Sequence, residues 1–192
     1  MDDLDFDKAL IASAFSIAAA KGWSRVTVYA AAKAAELSPD LARVRFPVRG
    51  SILLRLGSLA DQAVLSVPPE DPTARERLFD LLMRRFDALL PYREGIGALL
   101  RALPCDPASA LLLAISTRRS MGWMLEAAGV SATGCLGHLK RDGLIAVWAY
   151  AVRTFVRDAT ADLSATMAAL DRALDRAGQV ATLLDGKSSP PA

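Results

Sequence analysis

The sequence predicts an all-α fold of roughly nine helices, and three observations carry that expectation. Alanine and leucine dominate a chain of 192 residues that is 53% hydrophobic and 23% charged, a balance typical of a globular core rather than of disorder. Val, Ile and Thr are not gathered into the short alternating runs that strands need. Glycine and proline cut the chain into helix-length segments whose apolar residues recur with a period near 3.6.

The segments follow in order. Asp5 to Ala20 has an apolar face of Leu10, Ala14, Phe15 and Ile17 and ends at Lys21-Gly22, a cation followed by a C-cap glycine. Trp23 should pack back onto the core, and Thr27 can cap a second helix, YAAAKAAE. Ser38 has N-cap chemistry for a third helix, with Pro39 at the first helical position and Asp40 in the first turn; Pro47 stops it. A fourth helix spans about Val48 to Leu65, closed by VPPEDP at 67–72. Thr73 to Leu90 is amphipathic through Leu78, Leu81, Leu82, Phe86 and Leu89, a stripe interrupted by Arg85. Shorter and longer helices follow at about Arg93–Leu103 and Pro107–Glu126. Two long ones, about 136–157 and 162–184, should pack antiparallel. The tail GKSSPPA is expected to be disordered. The expected domains are therefore 1–56, 57–185 and a tail at 186–192.

Composition bounds the function. A net charge of +2 means that any nucleic-acid site must be a local patch. Cys105 and Cys135 stand in no metal-binding or redox spacing and are read as buried small apolar residues of a cytoplasmic protein. The start, MDDLDFD, is acidic where an export leader would be basic, and charge interrupts every apolar run before the ~20 residues that span a bilayer, so no integral membrane association is expected. His138, the single histidine, has no partner for a metal site and is expected to be exposed, as are Arg118 and Arg119. No nucleophile–base pair, phosphate-cradling loop or catalytic carboxylate pair is present, so neither enzyme activity nor a cofactor is expected.

The stretch LSPDLARVRFPVRG, Leu37 to Gly50, sets three arginines, Arg43, Arg45 and Arg49, among apolar residues. It follows a support helix and a short, alanine-rich helix, the order of a helix-turn-helix whose second short helix enters a major groove. Between residues 21 and 57, Lys21, Arg25, Lys33, Arg43, Arg45, Arg49 and Arg55 face only Glu36 and Asp40, a local excess of five positive charges. A solvated face is the plain alternative for such arginines.

The run GWSRVTVYAAAKAAELSPDLARVRFPVRGSILL resembles the N-terminal domain of TetR-family transcriptional regulators, through Lys21, Gly22, Trp23, Val26, Thr27, Val28, Ala32, Ala35, Leu37, Ser38, Phe46 and Leu53. The resemblance covers residues 6 to 60 and implies double-stranded DNA as a partner. It implies base- or phosphate-facing roles for Ser38, Pro39, Asp40, Leu41 and Arg43, phosphate contacts for Thr27 and Arg49, and an anchoring role for Arg45. Arg43 stands where many members have a tyrosine. The departures are Glu36 at the tight-turn glycine, Ala31 at an isoleucine, and Asp2, Asp3, Asp5 and Asp7 where the N-terminus is often basic. If the turn needs a positive φ, Glu36 costs on the order of 1 kcal/mol and points to a remodelled turn.

The resemblance also implies a homodimer through the last two helices, and a small apolar effector in the larger domain whose binding releases DNA. The lining would come from Met83, Phe86, Leu100, Leu113, Met121, Trp123, Met124, Trp148 and Phe155, which plain core packing would explain equally. A second resemblance competes. ALLPYREGIGALLRALPCDPASALLL and MGWMLEAAG are similar to the C-terminal part of ubiquinone-biosynthesis accessory lipid-binding proteins that share the TetR fold, which implies the alternative of a lipid-binding protein that has lost DNA recognition.

Overall fold

A computed structural model describes residues 2–70 and 72–185. The tail GKSSPPA lies outside the described residues. Among them the chain forms nine α-helices and three 3-10 turns, with no strand. The all-α expectation holds.

Two compact units divide the chain: Met1–Ala63 with Ala88–Thr117, and Val64–Asp87 with Arg118 onward. In sequence the divisions fall within helices α4 (Arg49–Leu65), α5 (Ala74–Leu89) and α7 (Pro107–Ala127).

The first unit is built on α1, Asp3–Lys21, which starts at Asp2, whose side chain accepts the amide of Asp5 at 2.7 Å. It ends at Gly22 with φ +87°, backbone that favours glycine. Phe6, Leu10, Ile11, Ala14, Phe15 and Ala18 form its buried stripe. Helix α6, Arg93–Ala102, packs along α1 so closely that a Cβ on Gly95 would lie 2.5 Å from the Phe15 carbonyl oxygen. Trp23 does fold back onto the core. It is 1% exposed, 5.7 Å from the Phe15 ring, and its Nε1 donates to Ser109 Oγ at 3.2 Å.

The second unit centres on Phe86 of α5, whose ring lies 4.5 Å from Trp148 and 4.9 Å from Phe155 on α8, Gly134–Phe155. Helices α8 and α9, Ser164–Asp185, form the long packed hairpin expected from their short connection. Asp158 ties that connection together. Buried at 5% exposure, it accepts from Thr160 and from both the amide and hydroxyl of Thr166, at 2.8 and 2.7 Å. Burial pushes its carboxyl up, but these hydrogen bonds prevail and hold it far below the ordinary range.

One expectation is corrected. Cys105 and Cys135 are both exposed free thiols rather than buried. Cys105 ends a 3-10 turn ahead of α7, and Cys135 lies in the first turn of α8 beside the exposed Leu136. Arg85, which interrupts the apolar stripe of α5, is buried along with it. It is 5% exposed, with its guanidinium 5.2 Å above the Trp148 ring and a hydrogen bond to Ser120 Oγ. Burial alone lowers its pKa to about 10.

Candidate nucleic-acid interface

The candidate interface lies in the first unit, where α2 (Val28–Ala34) and α3 (Pro39–Arg45) pack on each other and α2 packs on α1. Thr27 caps α2 by accepting the Ala30 amide at 3.0 Å. Ser38 occupies the N-cap position of α3 but makes no side-chain cap bond; its hydroxyl instead donates to Asp40, holding that carboxyl below the ordinary range.

The turn between them is a complete Schellman motif. The Leu37 amide donates to the Ala32 carbonyl at 2.9 Å and the Glu36 amide to the Lys33 carbonyl at 3.2 Å. Glu36 takes φ +55°, so the glutamate occupies the same left-handed backbone that glycine favours and the turn is not remodelled. Leu37 is buried behind it, which fixes the angle at which α3 leaves.

The three arginines have three different environments. Arg43 is exposed on α3. Arg45 turns back to α1: its Nε and Nη2 reach the Asp7 carboxylate at 2.7 and 3.0 Å, and its Nη1 reaches Asp3 at 2.9 Å. Arg55 of α4 holds the other side of Asp7 at 2.6 Å. Asp7 is 2% exposed; burial raises its pKa, and the hydrogen bonds and charges of Arg45 and Arg55 more than reverse that. Hydrogen bonds to Asp7 and Asp3 in turn raise the pKa of Arg45.

Arg49 opens α4 and pairs with Asp106 at 2.6 Å, donates to the Trp23 carbonyl at 3.3 Å, and sits 5.4 Å over the Trp23 ring. The hydrogen bond from Ser109 contributes most to holding Asp106 below the usual carboxylate range, with the charge of Arg49 a smaller part. A shallow pocket of about 410 Å³ opens beside this pair, lined by Ser24, Arg49, Ala102, Cys105, Asp106 and Pro107.

Two of the four aspartates at the acidic start are therefore taken up by arginines. Asp3 and Asp7 do not stand against phosphate; they neutralise Arg45 and Arg55. The exposed cations of the helix-turn-helix are Lys21, Arg25, Lys33 and Arg43, against the exposed carboxylates Glu36 and Asp40. The local positive excess is two rather than five. Pro39, Asp40 and Leu41 are exposed on α3 as expected. Sequence reasoning passed over Tyr29 and Val44, which are 64% and 79% exposed. A signal for Val44 was present: it stands three residues after Leu41, on the same side of the helix.

The expected effector residues do not form one set. Phe86, Met121, Met124, Trp148 and Phe155 are buried in the second unit, and Met83 is half-buried there. Leu100 and Leu113 belong to the first unit. Trp123 is 55% exposed; Met121, Met124 and Leu125 define the buried side of α7 there, and a residue two positions after Met121 falls on the opposite side. His138 is exposed. Among the described residues, no group of three metal-ligating side chains is gathered, and no single helix is long and apolar enough to cross a membrane.

No protein-family model matches the chain, and no curated protein matches its sequence. Solved structures do match its fold. A TetR transcriptional regulator from Nitrosomonas europaea superposes with a TM-score of 0.71 at 22% identity, over 91% of this chain and 99% of that one. A TetR-family transcriptional regulator from Streptomyces coelicolor gives 0.67 at 18% identity, over 97% of this chain and 86% of that one. One from Rhodococcus sp. RHA1 gives 0.64 at 16%, over 92% and 97%. The fold is that of TetR transcriptional regulators.

Proposed function

We propose that the chain is a TetR-like transcriptional regulator, a repressor in the sense that effector binding releases it from DNA. The single observation that carries this reading is the geometry of α3. A Schellman turn and the Asp7–Arg45 clamp fix that helix, and they leave Pro39, Asp40, Leu41, Arg43 and Val44 facing outward. A short helix braced from behind is what a major groove admits.

In this reading Arg43, with Lys33, Arg25 and Tyr29, meets phosphate or base edges. Arg45 and Arg49 are positioning residues that set α3 and α4. Two copies pair through α8 and α9, where Leu136, Leu139, Tyr150 and Met167 are exposed large apolar side chains. The paired reading heads then address a pseudo-palindromic operator with half-sites about one helical turn apart. A small apolar effector enters the second unit by displacing the packing around Phe86, Met121, Met124 and Trp148, and changes the spacing of the heads.

The test is fluorescence anisotropy on duplexes tiled across the region upstream of the protein's own gene, at two salt concentrations. Saturable binding to one tile, tighter than ~1 µM and weakened by salt, supports the reading. Flat traces on every tile at low salt would move weight to the lipid-binding alternative, which the pairing of Arg45, Arg49 and Arg55 with carboxylates favours. Lipid co-purifying with the protein would then be sought by mass spectrometry.

A further inference from the structure

The midline of the outward face of α3 belongs to an aliphatic residue. Ala42 and the C-cap residue Phe46, 0% and 2% exposed, mark the inner side of this seven-residue helix. At 100° per residue the opposite direction belongs to Val44, which at 79% is also its most exposed large apolar side chain. Leu41, 52% exposed, sits one turn before it on the same side. Asp40 and Arg43 lie along the Val44 side of this pair, and Arg45, on the Leu41 side, is withdrawn to Asp7.

Single exposed aliphatic residues are ordinary on any protein surface. Here Val44 holds the centre of the one face that the turn and the Asp7 clamp direct outward, with Leu41 about 60° to one side of it and the acceptor-only carboxylate of Asp40 about 40° to the other. A helix that read guanine or adenine through its midline would need donors there. Over Leu41 and Val44, the groove edges of purines would lose water and gain no hydrogen bond. The thymine C5 methyl is the one major-groove feature that an aliphatic side chain matches.

We propose that Leu41 and Val44 are specificity-determining residues that read thymine methyl groups. Each operator half-site then carries two thymines on neighbouring base pairs beneath α3. The spacing fits: three residues of helix advance about 4.5 Å, close to the ~3.4 Å step between bases. Charge argues for duplex DNA rather than a lipid surface as the occupant. Arg25, Lys33 and Arg43 are exposed in the same helix-turn-helix, yet the carboxylate of Asp40, four residues before Val44 on α3, borders it. That carboxylate would oppose anionic headgroups, whereas in a major groove it can accept from cytosine N4.

The inference rests on the DNA-binding reading, and the experiment separates the two. Duplexes are selected from a random library with the full-length protein, and each thymine of the selected site is replaced singly by deoxyuridine, which removes only the methyl. Two adjacent positions per half-site should each weaken binding about fourfold, the effect of one buried methyl. In Val44→Ala the loss at one position should vanish while the other persists, and Leu41→Ala should do the converse. Both side chains are exposed, so neither variant threatens the fold. Salt-sensitive binding to a selected duplex with no position sensitive to deoxyuridine overturns the methyl reading and leaves the regulator reading standing. Failure to select any duplex overturns both, and pelleting with phosphatidylserine vesicles in that case would identify the surface as a lipid-binding one.

Discussion

Arg45 is bound to Asp7 through two hydrogen bonds, at 2.7 and 3.0 Å, and the same carboxylate holds Arg55 at 2.6 Å. One buried aspartate thus joins α1, α3 and α4. A carboxylate on the apolar stripe of a helix is costly to bury unless it is paired. Here the pairing also consumes two of the cations that the sequence presents as a DNA patch.

Arg43 and Arg45 should therefore separate in a salt titration of DNA binding. Arg43→Ala should flatten the dependence of log K on log salt by about 0.9, the signature of one lost phosphate contact. Arg45→Ala should leave that slope unchanged and lower the melting temperature instead. Equal loss of slope in both variants would show that Arg45 leaves Asp7 to bind phosphate.

Asp106 restrains Arg49 in the same manner and also accepts the Ser109 amide at 3.1 Å in the first turn of α7. Asp106→Ala should have two opposed effects. Loss of the cap should cost about 1 kcal/mol of stability. Release of Arg49 should raise affinity for non-specific DNA and steepen its salt slope by up to about 0.9. Thermal melts and anisotropy on an arbitrary duplex read the two effects independently.

Glu36 pays the steric cost of left-handed backbone at φ +55°. Glu36→Gly should relieve about 1 kcal/mol and raise the melting temperature by roughly 2–4 °C, with the Schellman bonds of Leu37 and Glu36 retained. An unchanged or lower melting temperature would mean that the glutamate side chain stabilises the turn by a contact of its own.

Helix order and most helix boundaries were legible because their causes are local: Thr27 caps, Gly22 terminates, Pro47 stops. The helix-turn-helix was legible for the same reason. The clamp at Asp7 was half-legible. Its position among Phe6, Leu10, Ile11 and Ala14 puts it on the buried side of α1, which calls for a cation, but nothing local says which of seven candidates answers. The roles of Arg45 and Arg49 depend on partners 38 and 57 residues away in the chain, and periodicity carries no such information. Chemistry alone suggests Trp123 as a lining residue, whereas its angle to Met121 and Met124 puts it on the exposed side of α7. The same holds for Cys105 and Cys135, since the burial usual for cysteine says nothing about a residue beside a helix start.

Acid stability should report on Asp158. Its carboxyl accepts from Thr160 and Thr166 across the start of α9, and its pKa is depressed in the folded chain relative to about 3.9 when unfolded. Above the unfolded value both states are ionised, and the stabilisation by these hydrogen bonds is complete. As pH falls below about 4 the unfolded state takes up a proton that the folded state resists, so the contribution declines towards the folded pKa. Asp158→Asn keeps an acceptor for one threonine and loses the charge-assisted bonds to the other, which should cost about 1–3 kcal/mol at neutral pH. Below pH 4 the gap between wild type and variant should narrow, because the wild type loses what the variant already lacks. Urea melts at pH 7, 4 and 2.5 measure this directly. A gap that stays constant across that range would mean that Asp158 acts through shape and neutral hydrogen bonding rather than through its charge.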